Sequence, residues 1–138
     1  MSNYLLNLPL IRNDWYDAFY LCDIDRLDYY ETDWFISTNG LKVLSKQQQL
    51  KQLKQKKLRD EPLKRPKRTE YGLQIRELNN LAVCSGLAKV RFEDDEKEIA
   101  FCENWIVLSN CWKLQFVSFE FTANELMNRR SRDYSLLT

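Results

Sequence analysis

Histidine is absent from the 138-residue sequence. The chain therefore lacks the commonest general base, every Ser-His or Cys-His nucleophile pair and the usual mixed His/Cys zinc sites. Glycine and proline are scarce, with three of each, while 44% of the residues are hydrophobic, a composition that excludes a disordered or collagen-like chain. The sequence predicts one packed domain over residues 1–138, without an assignable catalytic residue, metal site or cofactor.

Cysteine pairs and an excess of one charge are also missing. The four cysteines form no C-x-x-C motif, and a chain of this length needs no disulfides, which predicts free thiols and a cytoplasmic location. A net charge of +1 gives no global attraction to nucleic acid or an anionic membrane. The first ten residues contain no Lys or Arg and are interrupted by Asn and Pro, so we expect neither a secretory signal nor a membrane span there.

Three helices are predicted in the first half of the chain. Apolar residues recur at three and four positions from Trp15 to Cys22 and again from Ile24 to Tyr30, which is the spacing of amphipathic helices. Asp23 falls at the break, where its side chain can cap the second helix. The capping box Ser45-Lys46-Gln47-Gln48 predicts the start of a third helix, which ends before Pro62.

Strand character dominates the remainder. The aromatic and β-branched run Trp34–Thr38 precedes the turn signal Asn39-Gly40. Later runs are joined by breaks too short for parallel crossovers; they are Glu70–Leu78, Leu81–Phe92, Ile99–Leu108 and Trp112–Thr122. Helices followed by a meander predict an α+β fold, with a core at about 13–122 and a polar tail at 123–138.

An ordered set of residues spans roughly Asn13 to Thr122. Its members are Trp15-x-x-Ala18-Phe19-x-x-x-Asp23-x-x-x-Leu27-x-x-Tyr30-x-x-Asp33, Gly40-x-x-x-Leu44-Ser45-Lys46 with Leu50, Ala82-Val83-x-x-Gly86, and Trp105 with Trp112-Lys113-Leu114. The set resembles the nuclear transport factor 2-like superfamily, and within it the SnoaL-like and ketosteroid isomerase-like domains. The resemblance implies a cone-shaped, curved antiparallel sheet wrapped around three N-terminal helices, a pocket at the open end and frequent dimers.

The resemblance also permits a check for isomerase chemistry. In isomerase-like members an Asp at the end of the first strand abstracts a proton, while a helix-one Tyr and a later acid hold the oxyanion. The matching positions here are Thr38 for the base, about Trp15 for the Tyr, with Tyr16 beside it, and Cys102 to Asn104 for the acid. Because a neutral hydroxyl is no resting general base near neutral pH, we expect the isomerase constellation to be absent.

A mostly apolar pocket with a few polar groups is expected from the resemblance and the two-residue period of strands. Its candidate residues are Trp15, Phe19, Trp34, Ile36, Thr38, Cys102, Asn104 and Ser118. The alternative is that these aromatic side chains fill the cone as core. Glu103 and Glu120 fall on opposite faces in this register, and both are predicted to be solvated surface charges.

Two surfaces are candidates for association. Alternation along the last strand predicts Gln115, Val117, Phe119 and Phe121 on the outer sheet face, where a homodimer would bury them. Segment 42–68 carries eleven basic residues against two acidic ones, and it can either lie solvated or bind an acidic protein partner. The segment lacks interleaved aromatic residues, which argues against nucleic acid as a partner.

Together these features favour an uncharacterised small-ligand-binding or interaction domain with no assignable catalytic base. Two alternatives remain open. One is an isomerase- or cyclase-type enzyme acting on a small apolar substrate, and the other is a protein-partner module of the assembly or immunity type. A hollow cone would favour a ligand or substrate, whereas a filled cone would favour a protein partner.

Overall fold

The computed structural model describes residues 4–128. Its fold is α+β, with a curved, unclosed six-stranded sheet and helices packed against it. The helices are α1 (Leu8–Leu21), α2 (Ile24–Tyr30), α3 (Lys46–Asp60) and α4 (Ala123–Asn128), preceded by a 3-10 turn at Tyr4–Leu6. The strands are β1 (Glu31–Thr38), β2 (Val43–Ser45), β3 (Lys67–Leu78), β4 (Leu81–Phe92), β5 (Asp95–Leu108) and β6 (Cys111–Phe121), in the spatial order β2-β1-β6-β5-β4-β3.

Side-chain caps set the helix boundaries. The Asn7 side chain accepts a hydrogen bond from the amide of Leu10 at 3.2 Å, and Pro9 lies in the first turn, so α1 begins at Leu8. Ordered structure therefore starts ahead of the core boundary predicted near Asn13. The predicted cap of α2 is confirmed, because the Asp23 carboxylate accepts from the amide of Arg26 at 3.3 Å.

The capping box of α3 is confirmed in both directions. The Gln48 amide donates to the Ser45 hydroxyl at 3.2 Å, and the Ser45 amide donates to the Gln48 side chain at 2.9 Å. The helix ends at Asp60, two residues before Pro62, as predicted. The face that α3 turns toward the sheet carries its buried residues Gln49 and Leu53.

The sheet is the predicted meander with one addition. Strands β3 to β6 pair antiparallel with their chain neighbours, and β1 pairs antiparallel with β2. However, β1 pairs in parallel with β6, which is an exception to the antiparallel pairing that the sequence predicted. This pairing joins residues some eighty positions apart, and the local turn signals carry no information about it.

The side chains predicted to lie on the outer face of β6 lie on its inner face. Val117, Phe119 and Phe121 are at most 5% exposed and belong to the core, so they are not an outer dimer face. The Phe119 ring lies 5.6 Å from the ring of Phe19 on α1. Alternation defines two sets of side chains along a strand, but contact with the helices decides which set is buried. The half-buried Gln115 is the extra residue of an irregularity, because Trp105 pairs with Leu114 and Asn104 with Phe116.

The C-terminal region also departs from expectation. Residues 123–128 form α4 rather than part of a polar tail, and the rest of the predicted tail, 129–138, lies outside the described residues. Within 4–128 no helix is both long and apolar enough to cross a membrane.

Candidate functional site

A cavity of about 430 Å³ lies between α3 and the inner face of the sheet. Its volume is in the range of small-molecule sites. The apolar lining residues are Phe19, Leu44, Leu53, Val117 and Phe119, and the uncharged polar ones are Ser37, Thr38, Asn39, Gln49, Gln52 and Gln55. Lys56 and Arg59 complete the wall, so among the described lining residues both charged groups are cations.

Helix α3 supplies six of the thirteen lining residues because of its sequence spacing. Gln49, Leu53 and Lys56 follow one another at four and three residues and therefore share one face. Opposite them, Val117 and Phe119 are two residues apart on β6 and point the same way. The end of β1 closes one side with Thr38, the position that the resemblance gave to a catalytic base. No carboxylate, thiol or phenol lines the cavity among the described residues, which leaves it without an evident general base.

A buried polar corner adjoins the cavity at Gln49. The Gln49 side-chain amide donates to the Glu31 carboxylate at 2.8 Å, and the Trp15 indole donates to the same oxygen at 3.0 Å. The other Glu31 oxygen and the Gln49 carbonyl oxygen are buried without a hydrogen-bond partner among the described residues. Burial raises the pKa of Glu31 to about 7, although the bonds from Gln49 and Trp15 oppose the rise. The Lys46 ammonium donates to the backbone carbonyl of Glu31 at 3.1 Å and fixes this segment against α3.

A second buried cluster surrounds Glu103, which has no exposed surface. Its carboxylate accepts from Arg12 at 2.7 and 2.8 Å, from Tyr16 at 2.5 Å and from Trp105 at 2.8 Å. Arg12 also forms two hydrogen bonds with Glu70, and Arg68 pairs with Glu70, so two cations face two carboxylates. The expectation that Glu103 is a solvated surface charge was therefore wrong.

This cluster brings together the residue types that hold an oxyanion in isomerase-like proteins. Tyr16 and Glu103 are in direct contact, because the Tyr16 hydroxyl donates a hydrogen bond to the Glu103 carboxylate. An oxyanion-binding acid must be protonated in order to donate a hydrogen bond. Glu103 instead forms an ion pair with Arg12 and accepts four hydrogen bonds, which occupy the acceptor positions of a carboxylate. The cluster thus joins α1 to β5, and its hydroxyl and carboxyl groups form hydrogen bonds with other side chains of the protein.

The eight predicted pocket residues separate into three groups. Phe19 and Thr38 line the cavity, whereas Trp15 is fully buried core that bonds to Glu31. The remaining five lie on the outer side, because the inner positions of β1 and β5 are Phe35, Ser37, Glu103 and Trp105. Those five predictions were wrong; the residues are Trp34, Ile36, Cys102, Asn104 and Ser118.

Trp34 and Ile36 instead border a separate surface groove of about 410 Å³ beside the start of α3. They are 54% and 42% exposed, and the Trp34 indole donates to Gln115 at 2.9 Å. Phe35 and Ser37 are the inward residues beside them, so alternation holds over this part of β1 and the predicted phase was inverted.

Sequence reasoning missed Arg12, Glu31, Gln49 and Glu103. Two of these carried a signal. Glu103 interrupts the apolar alternation of Phe101 and Trp105 on β5, and Arg12 lies beside the apolar stripe of α1. A charged residue at a core position predicts a buried ionic partner. Gln49 carried no such signal, because α3 is rich in glutamine on every side.

Comparison of structures shows the fold class. The chain is similar to a nuclear transport factor 2-like protein from Cytophaga hutchinsonii (11% identity, TM-score 0.69, covering 88% of this chain and all of that one). It is also similar to a ketosteroid isomerase-like protein from Parabacteroides distasonis (16% identity, TM-score 0.69, covering 89% of this chain and 96% of that one). A third similar structure is a nuclear transport factor 2-like protein of unknown function from Pseudomonas putida (10% identity, TM-score 0.68, covering 88% of this chain and 90% of that one).

The fold is therefore that of nuclear transport factor 2-like proteins, as the sequence resemblance implied. At 10–16% identity the likeness extends to the fold alone, and this fold carries unrelated functions. No protein-family model and no curated protein matches the sequence.

Proposed function

We propose that the protein binds a small amphipathic molecule in the cavity between α3 and the sheet. The observation that carries the proposal is a hollow of about 430 Å³ with an apolar floor and amide and hydroxyl groups on its wall. Ligand sites combine these two features, because apolar area supplies affinity while a few polar groups fix orientation.

Blocking the cavity tests this proposal. Ser37 lines the cavity and is only half-buried, so Ser37→Trp places a large ring in it with little disturbance of the core. The neutral fluorescent probe prodan should bind the wild type with a blue shift, and Ser37→Trp should abolish that binding. Gln74→Trp, exposed on β3, is the matched control and should bind prodan normally.

Native mass spectrometry of protein purified from its own host supplies an independent measurement. We expect a co-purified small molecule in the wild type and none in Ser37→Trp. Wild-type protein that binds neither prodan nor a host molecule would contradict the proposal. Melting temperatures of both variants would show whether any loss of binding is a loss of folding.

Association of two copies is a further part of the proposal. Register places Ile36, Phe116, Asn104 and Val83 in one row across the outer sheet face. Three of these four side chains are apolar, and Ile36 and Val83 are each more than 40% exposed. A two-fold dimer would remove this patch from water.

A cytoplasmic location also belongs to the proposal, since all four cysteines are free thiols.

A further inference from the structure

Glu31 on β1 and Gln49 on α3 share one hydrogen bond, and each of them also carries a buried oxygen atom without a partner. The Gln49 Nε2 atom donates to Glu31 Oε2 at 2.8 Å, and the Trp15 indole donates to the same oxygen at 3.0 Å. Glu31 Oε1 and Gln49 Oε1 are both buried and unpartnered among the described residues. The two orphaned oxygens therefore belong to two side chains that are already in contact.

A single proton would satisfy both oxygens. An amide oxygen and an ionised carboxylate oxygen are acceptors, so neither can serve the other, whereas a protonated Glu31 Oε1 becomes a donor. Glu31 is 3% exposed and Gln49 is 4% exposed, and their orphaned oxygens are out of reach of solvent and of the cavity. Hydrogen bonds to these planar groups lie near the plane of the group, so the bond at Oε2 favours an arrangement with the two orphaned oxygens side by side.

The groups packed around Glu31 compensate its charge only in part. The Lys46 ammonium on α3 donates to the backbone carbonyls of Asp28 and Glu31 and pairs with the Asp28 carboxylate on α2 at 2.8 Å. Trp15 on α1 and Leu114, the register partner on β6, are uncharged. Burial is the main cause that raises the pKa of Glu31 to about 7, which supports a proton on this group near neutral pH.

We infer that Glu31 donates a proton from Oε1 to Gln49 Oε1, so that the two side chains form a cyclic acid–amide pair that holds α3 against β1. When Glu31 ionises, the proton passes to solvent and two acceptor oxygens are left against each other, which opens the pair. Gln49 begins the face of α3 that continues through Leu53 and Lys56 along the cavity. A rise of pH through neutrality therefore loosens this wall of the cavity.

Carbon NMR of the full chain, isotope-labelled in its glutamine and glutamate side chains, tests where the proton goes. Between pH 6 and pH 8 the Cδ resonance of Glu31 should titrate. The Cδ resonance of Gln49, assigned by its loss in Gln49→Met, should move upfield with the same midpoint, because its oxygen loses a hydrogen bond. Gln48 is the internal control on the same helix, since its side-chain oxygen accepts from the Ser45 amide and should not respond.

Glu31→Gln mimics the closed pair at every pH. An amide NH₂ group at this position donates to Gln49 Oε1 and does not ionise. In this variant the Cδ resonance of Gln49 should therefore stay at its low-pH position at both ends of the titration.

Amide hydrogen exchange measures the consequence for α3. The protection of α3 amides in the wild type, divided by that in Glu31→Gln at the same pH, should fall about tenfold between pH 6 and pH 8. The reason is that about one pH unit of the window between 4.5 and about 7 lies above pH 6. Gln47→Leu changes an exposed glutamine of the same helix, and it should show the same tenfold fall as the wild type.

Three results would overturn the inference. They are a Glu31 resonance that does not titrate between pH 6 and pH 8, a Gln49 resonance that stays fixed while Glu31 titrates, and a protection ratio that is constant over the same range. The acid–amide pair consists of the protein's own side chains. Prodan binding therefore tests the proposed function separately, and either idea can fail while the other stands.

Discussion

Glu31 and Glu103 are both buried carboxylates, but their hydrogen bonds differ. Glu103 accepts from Arg12, Tyr16 and Trp105 through both of its oxygens. Glu31 accepts from Trp15 and Gln49 through one oxygen, and its other oxygen is buried without a partner among the described residues. A carboxylate that is buried and half satisfied favours its protonated form. Glu31 is therefore the group at which pH should change stability.

We expect the contribution of Glu31 to stability to fall as pH rises from about 4.5 to about 7. The folded pKa of about 7 lies above the ordinary value of 4.5, so the folded state holds the proton more strongly, and that advantage is lost as pH rises through this window. Glu31→Gln removes the titration. Relative to wild type, the free energy of unfolding of Glu31→Gln should rise across the window by up to about 3 kcal/mol.

Urea unfolding between pH 5 and pH 8 measures this difference. Glu120→Gln, which removes an exposed carboxylate from β6, is the matched control. A Glu31→Gln curve that runs parallel to the wild-type curve over the same pH range would contradict the assignment.

At the scale of elements, α3 contributes the most to the cavity. Its first turn is fixed by Ser45 and Gln48, and Gln49, Leu53 and Lys56 follow in phase. Loss of the cap would fray the turn that holds Gln49 against Glu31. The stability of this helix end and the polar corner of the cavity are thus coupled.

Ser45→Ala should lower the free energy of unfolding by about 0.5–2 kcal/mol, because the Gln48 amide loses its acceptor. Ser45→Asp retains an acceptor and adds a negative charge at the helix N-terminus, so it should stay close to wild type. Thermal melts of the three proteins check the prediction. Equal melting temperatures for the Ala and Asp variants would show that the cap does not stabilise α3.

The elements of this fold could be predicted because their signals are local. The caps at Asp23 and Ser45 and the turn after Thr38 each depend on a few adjacent residues. The candidate site depended on which face of each strand is inward, and alternation leaves that choice open. The inversion at Phe119 follows from its contact with α1, and the inversion at Trp34 follows from the burial of its neighbour Phe35 in the core. Both are long-range effects that a single sequence does not encode in its spacing.

At the scale of the whole molecule, fewer cations of the basic segment 42–68 are available to a partner than its composition indicates. Lys46 bonds to the backbone of Glu31 and pairs with Asp28, and Arg65 pairs with Asp17. Arg68 pairs with Glu70 and lies 3.9 Å over the Tyr16 ring. Lys46 joins α3 to α2 and β1, whereas Arg65 and Arg68 join the start of β3 and the segment before it to α1. An acidic protein partner at this segment stays a prediction, with fewer charges left to support it.

The outer sheet face is the apolar surface available for association between copies. It carries the exposed side chains of Ile36 and Val83, with the half-buried Phe116 between them in the same row. An apolar row across a sheet can meet its own copy about a two-fold axis, because the same patch then serves both partners. This face replaces the one predicted from Val117 and Phe119, which are core residues.

Light scattering after size-exclusion chromatography at micromolar concentration should give twice the mass of the chain for the wild type. Val83→Lys should give a monomer, since it places a charge at one end of the apolar row, where burial in the interface would leave it unpaired. Leu58→Lys is the matched control, because Leu58 is 78% exposed on α3, away from the sheet face, and the change adds the same charge. That variant should remain a dimer. A monomeric wild type would contradict the prediction, and equal dissociation of both variants would show that net charge, rather than this face, controls association.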